Sequence, residues 1–156
     1  MDLERRQHLV QRYRDGAAVV AAALAGASDA ELDVRPADGG WTAREVAHHV
    51  ADSEMTAAIR LRRLIAEENP EIVGYDGDEF ARRLSYARRP VSGALAAISA
   101  VRDVTAEILD RLTEEEWART GTHSESGAYG VLTWLEIYAA HCHDHADQIT
   151  AALGRK

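Results

Sequence analysis

The sequence predicts an all-α protein: a four-helix bundle with short extra helices in its connections. Three observations carry this reading. Four long segments repeat their apolar residues at three- and four-residue steps. Boxes of the type S/T-x-x-E mark several helix starts. Almost nothing alternates with the period of two that a half-buried strand requires. The 156 residues suit a single domain, 1–156, and a hydrophobic content of 46% is enough for one core rather than disorder.

Helix one, about Leu3 to Ala25, lines up Leu3, Val10, Tyr13, Ala17, Val20 and Leu24, and its many alanines favour helix. Ser28 with Glu31 predicts one short turn before a loop. Helix two opens at the Thr42–Glu45 box and runs to about Glu68, where Asn69-Pro70 stops it. Its inward stripe reads Val46, His49, Val50, Ser53, Ala57, Leu61 and Leu64. Residues 70–90 hold Pro70, Gly74, Gly77 and Pro90, so only a short helix is expected there, around Asp78 to Tyr86.

Helix three begins near Pro90 and carries Leu95, Ile98, Val101, Thr105, Ile108 and Leu112. Thr113 with Glu116 predicts a short turn through Trp117, and RTGTHSESGAYG reads as a polar loop. Helix four, about Val131 to Leu153, stops at Gly154. The connection between helices two and three, about twenty residues, is long enough to cross the bundle. It favours parallel helices two and three, an up-down-down-up order. The other connections are nearly as long, so length alone leaves simple up-and-down open.

Charge and cysteine usage narrow the function classes. Lys and Arg total 18 against 26 Asp and Glu, a net charge of −8. So acidic a surface repels phosphate backbones and anionic lipid, so neither nucleic acid nor a membrane is an expected partner. The opening MDLERRQHLV shows no apolar signal region, and the lone Cys142 excludes an intrachain disulfide. A cytoplasmic protein is expected.

The chemistry concentrates in helix four. Trp134, Tyr138, His141, His145, Gln148 and Ala152 step by 4, 3, 4, 3 and 4, with two histidines and a glutamine where leucines would ordinarily sit. Histidines at i and i+4 share a face and suit one metal ion. His49, on the inward stripe of helix two, is the natural third ligand. His48 is turned about 100° away and reads as a boundary or surface residue, and His143 faces away from the site. Core histidines satisfied by hydrogen bonds are the competing reading.

Three imidazoles without a carboxylate or thiolate leave a coordination position open, which in zinc chemistry is the catalytic pattern. Gln148 could orient a ligand ring or a bound water, and Asp52, three residues past His49, could accept the other N–H of that histidine. H-E-x-x-H is absent, and a single E-x-x-H (Glu45 to His48) argues against a di-iron bundle. Cys142 points off the seam and reads as a small packed residue, and the tryptophans read as core.

These residues resemble the DinB family, and within it a YfiT-like subgroup described as metal-dependent hydrolases and bacillithiol S-transferases. The segment from Trp41 through Thr42, Glu45, His48, His49 and Ala51 to Asp52 and Ser53 is similar to the subgroup's W-[ST]-x-x-[EQ]-x-x-H-H-L-A-D-S opening. Ile59-Arg60-Leu61-Arg62, Glu67 to Pro70, Tyr75 and the closing Tyr138, His141, His145 and Gln148-Ile149 continue the likeness over about residues 35 to 153. The resemblance implies an up-down-down-up bundle and a divalent metal, zinc or nickel foremost, on His49, His141 and His145. It also implies a possible homodimer. Arg102 stands roughly where the subgroup often has an Arg-Trp pair, so it could bind an anionic part of a thiol cofactor or form a surface salt bridge.

The leading expectation is transfer of a low-molecular-weight thiol to an electrophilic small molecule at the metal. The alternatives are hydrolysis by metal-bound hydroxide and a non-enzymatic stress-related bundle with structural or adventitious metal. A hydrolase should bring Asp52, Glu45 or another carboxylate within one water of the metal, whereas a structural site should close with a fourth protein ligand.

Overall fold

Helices start where the sequence places its boxes. In a computed structural model that describes residues 1–155, Ser28, Thr42 and Thr113 each accept a bond from the third helical N–H. Glu31, Glu45 and Glu116 in turn accept one from the cap's own N–H. The helices are α1 (Leu3–Leu24), α2 (Asp29–Leu32), α3 (Ala43–Ala66), α4 (Gly77–Arg83), α5 (Val91–Leu109), α6 (Glu114–Trp117) and α7 (Val131–Ala152), with a 3-10 turn at Tyr86–Arg88. Gly154 ends α7 at φ +65°, a conformation that a Cβ would strain, while Arg155 N–H donates back to the Thr150 carbonyl.

Contacts along the long helices fix their order. Arg5 meets Glu136 and Arg12 meets His143, so α1 and α7 run parallel. Arg102 reaches Tyr13 while Arg6 reaches Glu114, so α5 is antiparallel to α1. Arg44 bonds Arg89, Glu54 bonds Arg102 and Arg62 bonds Thr105, so α3 and α5 are parallel. Trp134 Nε1 donates to the Ala57 carbonyl while His141 bonds Ser53, so α7 is antiparallel to α3. The bundle is up-down-down-up, and the connection from residues 67 to 90 must travel back along its whole length.

Two expectations change. The loop RTGTHSESGAYG is a hairpin, β2 (Thr120–His123) with β3 (Gly127–Gly130), and β2 also pairs in parallel with β1 (Glu71–Ile72). Such short strands carry too few residues for a period to register, and the pairing joins two connections far apart in sequence. The buried face of α5 is also rotated from the expected stripe: Ala94, Ile98, Arg102, Thr105, Ala106 and Leu109 point inward. An arginine is assigned to solvent by any apolar-periodicity reading, and here it lies inside.

Arg102 is 1% exposed and its partner Glu54 is fully buried. Its Nη1 lies 2.8 Å from Glu54 Oε1, and its other N–H groups donate to the Tyr13 and Tyr138 carbonyls. One guanidinium therefore gathers all four long helices. Gly16 makes room for it, since a Cβ there would come within 2.6 Å of Arg102 Cζ. Removing one member of a buried pair strands the other charge. Arg102→Met is thus expected to lower the unfolding free energy by about 3–5 kcal/mol in urea titrations at pH 7, and a loss below about 1 kcal/mol would contradict this role.

Candidate metal centre

Antiparallel packing sets the beginning of α3 against the end of α7. His49, His141 and His145 are half-buried there, and each offers a ring nitrogen within 4.8 Å of the others. Ring centroids lie 4.6 Å apart for His141–His145 and 4.8 Å apart for His49–His145. Trp41 packs on the His49 ring at 4.7 Å, and its Nε1 donates to Asp78 Oδ1 at 3.0 Å. Gly77, at the start of α4, lies against both rings. Trp41 is therefore a cover for the histidines rather than a core residue, unlike Trp117 and Trp134.

Hydrogen bonds outside the cluster hold two of the rings. His141 Nδ1–H donates to Glu54 Oε1 at 3.0 Å, so its Nε2 is left as a lone-pair donor, 3.2 Å from the Ser53 hydroxyl. His145 Nδ1–H donates to Gln148 Oε1 at 2.7 Å and likewise leaves Nε2 free. His49 Nδ1 is buried with no partner. Burial, then the neighbouring His145 and His141, pushes the His49 pKa down to about 3. Burial and His141 also lower that of His145. Two rings held neutral in this way are ready as ligands without first losing a proton.

This donor set fits a divalent ion of the imidazole-binding kind: lone pairs converging, outer N–H groups anchored, and one buried ring nitrogen in want of a partner. Among the described residues no fourth His, Cys, Asp or Glu joins the group, so a bound ion would keep a coordination position for another ligand. Glu54, His141 and Cys142 form a second close set. The positive charge there is already Arg102, whose Nη1 also donates to Cys142 Sγ. Burial and Glu54 push the Cys142 thiol well above its ordinary pKa, so it remains a protonated, packed residue.

Other residues sit elsewhere than expected. Asp52 does not touch His49; it accepts the Tyr86 hydroxyl, because it lies on the flank of α3 facing the 3-10 turn. Arg102 neither meets a cofactor nor lies at the surface, since Glu54, Cys142 and two carbonyls occupy its donors inside the core. His48 is 1% exposed, not a boundary residue, because the connection folds over it and the Arg89 carbonyl receives its Nε2–H. Glu54 is the residue that sequence reasoning missed. It falls on the inward stripe with Val50, Ala57 and Leu61, and an acid at such a position facing a buried arginine was the available signal.

The fold and the site define a class: a four-helix bundle of up-down-down-up order carrying a three-histidine cluster open on one side. The sequence model of the DinB superfamily matches residues 12–149, and the chain belongs to that superfamily. A relative from Oceanobacillus iheyensis, provisionally named a metal-dependent hydrolase, is 40% identical over 126 residues, 81% of this chain and 73% of its own length. YfiT of Bacillus subtilis, with the same provisional name, is 30% identical over 148 residues, 94% of this chain and 83% of its own. The solved YfiT structure superposes with a TM-score of 0.91 at 27% identity, covering 100% of this chain and 91% of that one. It is described as "a probable metal-dependent hydrolase with an unusual four-helix bundle topology".

Two outcomes follow from this geometry. Gln148 is exposed and touches the site through His145, so Gln148→Ala is expected to weaken zinc affinity by about 10- to 100-fold with the fold intact, as read by competition with a chromogenic chelator. Without metal, His49 takes up its proton only near pH 3 when folded but near 6.5 when unfolded. Between those values the unfolded chain binds more protons, so stability rises with pH and levels off above 6.5. Urea midpoints measured on metal-free protein should show this slope, and His49→Gln should flatten it.

Proposed function

We propose that the chain is a metal-dependent transferase that moves a small thiol onto an electrophilic small molecule. The observation that carries the reading is the three-histidine group, which no carboxylate joins as a fourth ligand among the described residues. Glu45 is engaged in its cap and with Arg35, Asp52 with Tyr86, and Glu54 with Arg102 and His141. A divalent ion bound there supplies a Lewis acid that lowers the pKa of a thiol or water placed in the open position. A thiol needs no further base at neutral pH once its pKa is lowered, which suits a three-histidine group that no carboxylate joins among the described residues.

The chain's own residues do the rest. His49, His141 and His145 would hold the ion, with Glu54 and Gln148 fixing the orientation of two of the rings. Trp41 and the α4 segment shield one side from water. In the reaction the thiol proton leaves to solvent, the sulfur forms the new S–C bond, and the leaving group departs with its electron pair. A bacillithiol-like thiol and a reducing, cytoplasmic setting agree with this chemistry. Hydrolysis is the second reading, favoured by the names of the relatives.

Zinc-loaded protein assayed with cysteine and 1-chloro-2,4-dinitrobenzene, and separately with p-nitrophenyl acetate, discriminates between them. Thiol-dependent chloride release is expected, falling by about a hundredfold in His145→Ala. Metal-dependent ester cleavage without any thiol-dependent turnover would replace this reading with hydrolysis.

A further inference from the structure

Of the three histidines, one lacks the anchor that holds the other two. Glu54 receives the Nδ1–H of His141 and Gln148 that of His145, whereas no partner reaches His49 Nδ1. An imidazole without such a bond turns about χ2 between two orientations that exchange its nitrogens with its carbons. A metal ligand needs one nitrogen held toward the ion. Something other than a hydrogen bond at Nδ1 has to fix this ring.

Packing supplies the restraint. Trp41 lies on the His49 ring with centroids 4.7 Å apart and planes inclined at 57°, and His145 meets it edge-on at 4.8 Å. A Cβ on Gly77 would stand 3.4 Å from Trp41 Cη2 and 3.7 Å from His49 Cε1 and Nδ1, so the backbone at the start of α4 closes a further edge. Trp41 itself is less confined. It precedes the Thr42 cap, is only partly buried, and borders a pocket of about 560 Å³ lined also by Asp78, Arg82 and Arg88. The ring has space there to swing off His49. The 3.0 Å bond from its Nε1–H to Asp78 Oδ1 closes that path. Asp78 is exposed and α4 buries none of its residues, so this bond can be removed without touching the core.

We propose that Trp41 is the positioning residue of His49, and that Asp78, by holding the indole, makes the long connection part of the metal centre without supplying a ligand. The effect on a bound ion rests on the metal reading; the orientation of the ring does not.

Zinc affinity read by chelator competition, together with NMR of the histidine rings in metal-free protein, tests it. Asp78→Ala is expected to weaken zinc binding about two- to tenfold, and Trp41→Leu about tenfold or more. Asp78→Asn removes the charge but keeps an oxygen acceptor for the indole, so it should match the wild type within about twofold. Equal losses in Asp78→Asn and Asp78→Ala would assign the effect to the carboxylate's charge and overturn the proposal, as would full affinity in Asp78→Ala or Trp41→Leu. In metal-free wild type the His49 ring protons, identified by their disappearance in His49→Gln, should be displaced by the ring current of Trp41. That displacement should survive in Asp78→Asn and shrink in Asp78→Ala. A chain that takes up no zinc but shows this pattern refutes the metal reading and upholds the positioning. Shifts unchanged in Asp78→Ala overturn the positioning whether or not metal binds.

Discussion

The buried pair between Glu54 and Arg102 is the constraint on which the rest depends. Taking two charges out of water is costly, and the attraction between them offsets that only when the remaining donors and acceptors are satisfied as well. Arg102 meets the condition for its own N–H groups by drawing on Tyr13 of α1, Glu54 of α3 and Tyr138 and Cys142 of α7 from its place on α5, whereas Glu54 Oε2 is buried without a partner. A helix that slid by one turn would strand a charge in the core. The same Glu54 oxygen that receives the guanidinium also receives His141 Nδ1–H, so the interaction that registers the bundle also sets the tautomer of a metal-facing ring.

The helix order shapes the site in a second way. Because α3 and α5 are parallel, the chain between them must return the length of the bundle. It starts at β1, pinned to the β2–β3 hairpin by the parallel pairing, then passes Arg60 and His49 on its way to α5. Val73, Tyr75 and Gly77 thus form a wall that a short loop could not supply. Asp78 fastens Trp41, just ahead of α3, and the Tyr86 hydroxyl fastens Asp52 within it, so the wall is tied down at two points. Long connections, which in a plain up-and-down bundle would carry little, here enclose the chemistry.

The bundle was legible because its signals are local and repeated: capping boxes at Ser28, Thr42 and Thr113, and apolar steps along four segments. The three histidines were legible because two sit on one face of α7 and the third on the inward stripe of α3. Part of what stayed hidden follows from one assumption, that charge faces water. It left Arg102 off the inward stripe, rotated the face of α5, and passed over Glu54. His48 and Asp52 were misplaced for a different reason, since the segment that covers one and bonds the other lies about forty residues away in sequence. The hairpin needed pairing between connections that no short window contains.

The central claim is that His49, His141 and His145 together hold one divalent ion with a position left open. Elemental analysis of protein purified without chelator, wild type beside His49→Ala and His145→Ala, tests it most directly, combined with X-ray absorption at the metal edge. About one ion per chain in the wild type, a shell of three imidazoles and one lighter ligand, and loss of metal in both variants are the predicted results. No stoichiometric metal and no uptake of added zinc or nickel would contradict the account, leaving three histidines without a metal role in a bundle registered by its buried ion pair.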